Sequence, residues 1–302
     1  MTAISEHRGV VRPSSVAAVV AAARPRQWVK NLVVVVLPVA AGDLTAPGMP
    51  GRLAMAVAAF CCVASGTYLL NDAWDVEEDR LHPRKRSRAV ASGRLGVLEA
   101  ECAGVALLLC GVGIAALVGW ALALVVVGYG ALTTAYSVWL KHEPVVDVIA
   151  LATCFVLRAA GGAVAGGVAL DAPLLATVGF GALLVGVGKR LGEQQELGAE
   201  AERHRRVLGM YPPGFLAQLA TVGMAGALTA YGLWAVAADG SAVHHGWLSA
   251  SVLPFMVAVL RYGYVVARGE ASDPEAAVLG DPVLRIAVAA GVLAALVGIY
   301  VS

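Results

Sequence analysis

The chain is poor in charge. Only 14% of its 302 residues are Asp, Glu, Lys or Arg, against roughly a quarter in an ordinary soluble domain, and these nearly cancel to a formal net charge of +1. With no long basic stripe, no nucleic-acid partner is expected. Cysteine is scarce as well. Cys61, Cys62, Cys102, Cys110 and Cys154 all fall in apolar stretches without metal-ligand spacing. That pattern argues against a disulfide framework or a zinc site and leaves them as small packing residues. No repeat of fixed period is present. The first residues lack an apolar core followed by a small-residue cleavage site, so no removable signal peptide is expected. No Ser, His or Cys constellation suggests a covalent nucleophile.

What the chain has in abundance is apolar sequence, with 59% hydrophobic residues and a mean hydropathy of +0.76. Nine apolar stretches, 28–46, 51–71, 97–118, 120–140, 144–168, 172–188, 214–237, 245–267 and 283–302, are each long enough to cross about 30 Å of hydrocarbon. The expected fold is an all-α polytopic membrane protein with residues 1–23 as a polar N-terminal segment and 24–302 as one transmembrane domain. With the N-terminus inside, 18 of the 22 Lys and Arg residues fall on inner segments, only Arg52 lies outside, and Arg158, Arg261 and Arg285 sit within spans. The positive-inside rule therefore predicts a cytoplasmic N-terminus and an outer C-terminus. The longer polar segments, 72–96, 189–213 and 268–282, share the inner face, where chemistry is expected.

Asn71-Asp72-Ala73-Trp74-Asp75-Val76-Glu77-Glu78-Asp79 ends the second apolar stretch, and His82-Pro83-Arg84-Lys85-Arg86-Ser87-Arg88 follows at once. Asn71, Asp75 and Asp79 recur every four residues, so on a helix they drift only about 40° per step and share a face with Tyr68 nearby. Hard oxygen donors that leave room for water and phosphate suit Mg2+, and adjacent cations suit a diphosphate bridged by that metal.

Other polar residues divide between anchoring and binding roles. Arg24, Arg26 and Trp28 precede the first apolar stretch as membrane-interface anchors, whereas Lys30 and Asn31 lie at a helix mouth where an anion could be met. Arg158 lies deep in a span, where an unpaired cation is expensive; an unseen carboxylate or an anionic ligand would account for it. Asp147 is placed to pair with Lys141 at the membrane surface. Lys189 and Arg190 end the sixth stretch, with Glu193 one turn after Lys189. Gly161-Gly162 and Gly166-Gly167 would let a neighbouring segment approach closely. His244-His245 is expected at the outer surface.

Arg24-Pro25-Arg26-Gln27-Trp28-Val29-Lys30-Asn31, Asn71-Asp72 with Asp75 and Asp79, His82-Pro83-Arg84-Lys85-Arg86, Lys141-His142, Val156-Leu157-Arg158-Ala159, Gly188-Lys189-Arg190 and Arg261-Tyr262 together resemble the UbiA superfamily of intramembrane transferases. Within it they are similar to the decaprenyl-phosphate phosphoribosyltransferase branch. The resemblance implies nine transmembrane helices around a cavity on the cytoplasmic side of a bacterial inner membrane. It implies Mg2+-dependent transfer of 5-phosphoribose from phosphoribosyl diphosphate to decaprenyl or another polyprenyl phosphate, giving a precursor of the lipid-linked arabinose donor for cell-wall arabinan. Asn71 and Asp75 would hold the metal, with Asp72 and Asp79 as further acidic members. Tyr68, Lys30, Lys85 and Arg86 would grip donor phosphates, and Lys141, Arg158, Lys189 and Arg190 would serve the ribose phosphate or the lipid phosphate.

Prenyltransferases of that superfamily usually carry a second acidic motif beyond mid-chain, where this chain reads Gly188-Lys189-Arg190-Leu191-Gly192-Glu193. Ser87-Arg88-Ala89 and Leu191-Gly192 depart from the phosphoribosyl branch. A prenyltransferase acting on a small or aromatic acceptor is the alternative, and a secondary transporter the reading from another class. The glycine-rich helices allow a homo-oligomer.

Overall fold

A computed structural model of the chain describes residues 15–82, 85–197, 206–239 and 246–301. Arg84, His244 and His245 lie outside them. Every regular element among the described residues is helical: α1 Ser15–Ala23, a 3-10 segment Pro25–Val35, α2 Val36–Ala40, α3 Met49–Trp74, α4 Val76–Leu81, α5 Val97–Val118, α6 Trp120–Val138, α7 Val146–Gly166, α8 Ala172–Leu197, α9 Arg206–Met210, α10 Phe215–Asp239, α11 Trp247–Ala267, α12 Pro274–Gly280 and α13 Pro282–Tyr300. Eight of them, α3, α5, α6, α7, α8, α10, α11 and α13, are long and apolar enough to cross a membrane. They match the second to ninth predicted stretches. The protein is a multi-pass membrane protein, and side chains such as Leu109, Leu117 and Leu293 point outward, as lipid contact requires.

The first predicted stretch, 28–46, is not one α-helix. It is eleven residues of 3-10 helix followed by the five-residue α2. Pro38 explains the change: it has no N–H to give the Val34 carbonyl, and its ring would crowd that carbonyl in an α-helix. The run Val33 to Val36 adds β-branched side chains that an α-helix accommodates poorly. The Val34 carbonyl instead faces α7 at Gly162, where a Cβ would coincide with the oxygen, and a Cβ on Gly161 would strike the Phe60 ring. The expected close approach at this glycine pair is therefore made by the 3-10 segment and α3.

Small residues bring the other helices together. A Cβ on Gly66 would lie 2.7 Å from the Gly104 carbonyl oxygen, and one on Gly111 would lie 2.8 Å from that of Ala59, so α3 and α5 pack backbone to backbone. One core, including Phe60, Leu122, Val126, Tyr129 and Cys154, joins α3, α5, α6 and α7; a second, including Leu184, Val187, Leu216, Tyr262 and Leu284, joins α8, α10, α11 and α13. Helix α1 lays Ala18, Ala22 and Ala23 against Leu69 and Ala73 of α3. Its end delivers Arg24 to the acidic end of that helix.

Candidate active site

Helix α3 stops at Trp74, and Asp75 takes φ −88°, ψ 12° before α4 begins. The turn-to-turn bonds continue through this junction: Asp75 N donates to Asn71 O at 2.9 Å and Asp79 N to Asp75 O at 2.8 Å. The helical register proposed for the acidic row is thus maintained, but its side chains separate into two groups. Asn71 Nδ2 donates to Asp75 Oδ2 at 3.0 Å, and Lys141 Nζ reaches the same oxygen at 3.3 Å. Asp75 and Lys141 are both partly exposed, at 21% and 20%.

The other pair, Asp72 and Asp79, is seven residues apart and so almost eclipsed on the helix. Both carboxylates are buried. Arg88 Nη1 bridges them, at 3.2 Å from Asp72 Oδ1 and 2.7 Å from Asp79 Oδ2. Arg24 Nη2 closes on Asp72 Oδ1 at 2.5 Å with its guanidinium over the Tyr68 ring, 4.8 Å from the centroid, and Lys85 Nζ stands 3.7 Å from Asp79 Oδ1. Two carboxylates thus fasten three cations, and the basic loop after α4 is held against the end of α3. Arg24 achieves this from a left-handed backbone conformation, φ 54° and ψ 60°. It is an ion-pair partner of Asp72, a role beyond the membrane-interface anchor expected of it. Arg86 is exposed on the same loop.

Arg158 lies twelve residues into α7, about 18 Å from its start at 1.5 Å per residue, and is 6% exposed. The partner it would need is not a carboxylate. Its Nε donates to Asn31 Oδ1 at 2.8 Å, Nη2 to the Tyr129 hydroxyl at 2.6 Å and Nη1 to the Cys154 carbonyl at 3.3 Å. The guanidinium also faces the Tyr129 and Phe155 rings, with centroids at 4.7 and 5.0 Å. Asn31 is oriented by its own Nδ2, which donates to Cys61 Sγ at 3.0 Å.

Arg190, expected among the substrate-binding cations, is enclosed with 1% of its side chain exposed. Its Nε meets Asp147 Oδ2 at 2.8 Å, Nη1 meets Glu193 Oε2 at 3.0 Å and Nη2 donates to Tyr136 Oη at 3.0 Å. Asp147 therefore pairs with Arg190 and not with Lys141, because α8 brings the guanidinium to it. The Tyr211 hydroxyl donates to Asp147 Oδ1 at 2.5 Å and accepts from Val145 N at 2.7 Å. Burial, and then the bond to Asp147, push the Tyr211 hydroxyl pKa up. Val145 has φ 68° and ψ −47°, and Val146 N donates to Pro144 O at 2.8 Å. This is a γ-turn of the strained, positive-φ form, worth about 1–3 kcal/mol for a β-branched residue.

Lys30 and Lys189 are each about half-exposed. Lys30 Nζ lies 3.3 Å from Glu275 Oε1 on α12, and Lys189 Nζ lies 4.0 Å from Glu193 Oε1. Arg261 Nε pairs with Asp281 Oδ2 at 2.8 Å; Asp281 also caps α13, and the Leu284 N–H, together with Arg261, holds its carboxyl below the usual range. The structure thus gathers Tyr68, Asn71, Asp72, Asp75, Asp79, Lys85 and Lys141 at one end of α3. It adds Arg24 and Arg88, and it sets Arg158 deeper and Arg190 aside. Arg88 stood in the basic run without being singled out, whereas Tyr129 and Tyr211 had no motif to mark them, since each meets a partner far away in sequence.

Among the described residues no three His, Cys, Asp or Glu side chains converge as a metal cage. Asn71 and Asp75 instead offer a pair of hard oxygen donors beside cations, a set that suits a metal shared with a phosphate ligand.

The chain is 36% identical to the decaprenyl-phosphate phosphoribosyltransferase of Corynebacterium glutamicum, over 99% of this chain and 92% of the relative. It is 37% identical to the protein of that name from Mycobacterium tuberculosis, over 90% of each. Among solved structures, a UbiA homolog from Archaeoglobus fulgidus bound to GPP and Mg2+ superposes with a TM-score of 0.71 at 17% identity, over 92% of this chain and 99% of that one. The likeness in three dimensions agrees with a sequence match across residues 32–289, and the chain belongs to the UbiA prenyltransferase family.

Proposed function

We propose that the protein transfers 5-phosphoribose from phosphoribosyl diphosphate to a polyprenyl phosphate, decaprenyl phosphate in the first instance, and releases diphosphate. The observation that carries this reading is the near full-length likeness to relatives bearing that activity in their names. The site's chemistry supports it. An oxygen of the acceptor phosphate forms the new bond to ribose C1 as the bond from C1 to the diphosphate oxygen breaks. The acceptor is already an anion, so no strong general base is required.

Asn71 and Asp75 would hold Mg2+, which when bound neutralises charge on the departing diphosphate. Lys141, Lys85 and Arg86 would meet donor phosphates with Tyr68 and Lys30 at the rim, while Lys189 and Arg158 would serve the ribose phosphate or the lipid phosphate. Asp72 and Asp79 act one step back, by holding Arg24, Arg88 and Lys85 in place. Arg190 belongs to the framework. Residues 24–302 form the catalytic domain, in a bacterial cytoplasmic membrane with the N-terminus and the site on the cytoplasmic side. The stretch 28–46, folded as the 3-10 segment and α2, would supply the ninth crossing. The product would be a precursor of a lipid-linked arabinose donor.

The test incubates purified protein with labelled phosphoribosyl diphosphate, polyprenyl phosphate and Mg2+, beside Asp75→Ala. Metal-dependent label in the organic phase, reduced more than about 100-fold in the variant, is the expected result. Consumption of a prenyl diphosphate with a small acceptor, and none of phosphoribosyl diphosphate, would overturn it.

A further inference from the structure

The Lys141 ammonium is carried by a short connection between α6 and α7, and that connection is fastened on both sides by one network. Before it, Tyr136 on the last turn of α6 accepts from Arg190 Nη2 at 3.0 Å. After it, the strained turn at Val145 donates its N–H to Tyr211 Oη at 2.7 Å. The two fastenings meet at Asp147, which takes Arg190 Nε on one oxygen at 2.8 Å and the Tyr211 hydroxyl on the other at 2.5 Å. Between them Lys141 Nζ stands 3.3 Å from Asp75 Oδ2. A flexible lysine stem loses much rotamer freedom when its ammonium is confined, and a rigid base beneath it reduces what must be lost on ligand binding.

We propose that Tyr211 is a positioning residue for the reaction: its hydroxyl pins the Val145 γ-turn and through it sets the Lys141 ammonium against Asp75 for a diphosphate. A positive-φ turn at a β-branched residue does not persist without a tether. The tether here comes from a residue 66 positions away in the chain, on the connection between α9 and α10. The phenol ring itself packs independently of the hydroxyl, with its centroid 6.2 Å from that of Phe215, so Tyr211→Phe removes the pin and keeps the packing. The inference rests on the reading of Asp75 and Lys141 as part of the donor site.

A double-mutant cycle tests it, with Tyr211→Phe made in the parent and in Lys141→Met. Each protein is measured twice, by kcat/KM for phosphoribosyl diphosphate and by calorimetric Kd for magnesium diphosphate. Tyr211→Phe is expected to cost about tenfold in both quantities in the parent and less than about twofold in Lys141→Met, with KM for the lipid phosphate unchanged. Val145→Gly, which accepts positive φ without a tether, is expected to restore most of the loss in Tyr211→Phe. Equal losses in both backgrounds, no loss in the parent, or no rescue by Val145→Gly would overturn the positioning role. A parent that binds diphosphate but transfers no phosphoribose would overturn the functional reading, and the binding cycle would still decide the role of Tyr211.

Discussion

Arg158 and Arg190 are both buried arginines, yet their charges are compensated in different ways. Arg190 meets Asp147 and Glu193 and the Tyr136 hydroxyl, so its charge is matched within the protein. Arg158 meets an amide oxygen, a phenol, a backbone carbonyl and two ring faces, all of them neutral. Hydrogen bonds and ring quadrupoles stabilise a cation locally but leave its net charge in the field of the cavity. The charge of the first arginine is matched by carboxylates and that of the second is not, which is the difference on which the proposed substrate role of Arg158 rests. Hydropathy ranks them the other way, because Arg190 lies near a helix end and resembles a snorkelling cation, while Arg158 stands alone in an apolar run.

The largest expected effect comes from unbalancing Arg190. Asp147→Ala leaves a buried guanidinium with one carboxylate and frees the Tyr211 hydroxyl, and should cost about 3–5 kcal/mol of stability, read as a lowered melting midpoint in detergent. If it melted no earlier than the parent, the contrast between the two arginines would fail. Next in size, Arg158→Gln removes the charge but retains an amide to meet Asn31 or Tyr129. Transfer is expected to fall about 10–100-fold, equivalent to about 1.4–2.7 kcal/mol, with the melting midpoint close to the parent's. A large loss of stability with unchanged kcat/KM would make Arg158 framework too.

A smaller residual is expected when the Arg190 pair is replaced as a whole. Asp147→Leu combined with Arg190→Met should recover stability to within about 1–2 kcal/mol of the parent, since apolar groups of similar volume replace a buried pair at little cost. Melting the two single variants beside the double measures that recovery. The smallest effect lies in alkaline solution. Unfolded tyrosine loses its proton near its ordinary pKa of 10.0, while folded Tyr211 holds its proton to higher pH. Between those values the unfolded state binds fewer protons, so stability falls as pH rises above about 10. Tyr211→Phe should flatten that decline in melts compared at successive pH values, and an unchanged slope would contradict the raised pKa.

Much of the fold was legible because membrane helices announce themselves locally. Eight of nine stretches became helices, seven of them with boundaries close to those read from hydropathy, while the sixth, read as 172–188, runs on to Leu197 and takes Lys189 and Arg190 inside the helix; the exception, 28–46, held its clue in Pro38 and the valine run. The pairing of Asn71 with Asp75 was legible for the same reason, since a spacing of four places them on one helical face, but Asp79 leaves that row for Asp72 and Arg88. Which cation each acid meets was not legible. Asp72 and Asp79 are taken by Arg24 and Arg88, whereas Asp75 remains partly exposed beside Lys141. Val145 gave no sign of its strained turn, which exists only because Tyr211 arrives from another part of the chain.

The sequence by itself determined the solvent this protein lives in, the helices that fill it and the presence of oxygen donors beside a basic loop. These follow from hydrophobic burial and helical period, which act over a few neighbouring residues. Tertiary structure alone decided how the charges are divided: Arg190 to Asp147 across 43 residues, Lys141 to Asp75 across 66, and Arg158 to Asn31 across 127. Coulomb attraction and hydrogen bonding act over a few ångströms of space whatever the separation in sequence, so only the packed bundle determines which charges are paired with carboxylates and which with neutral groups.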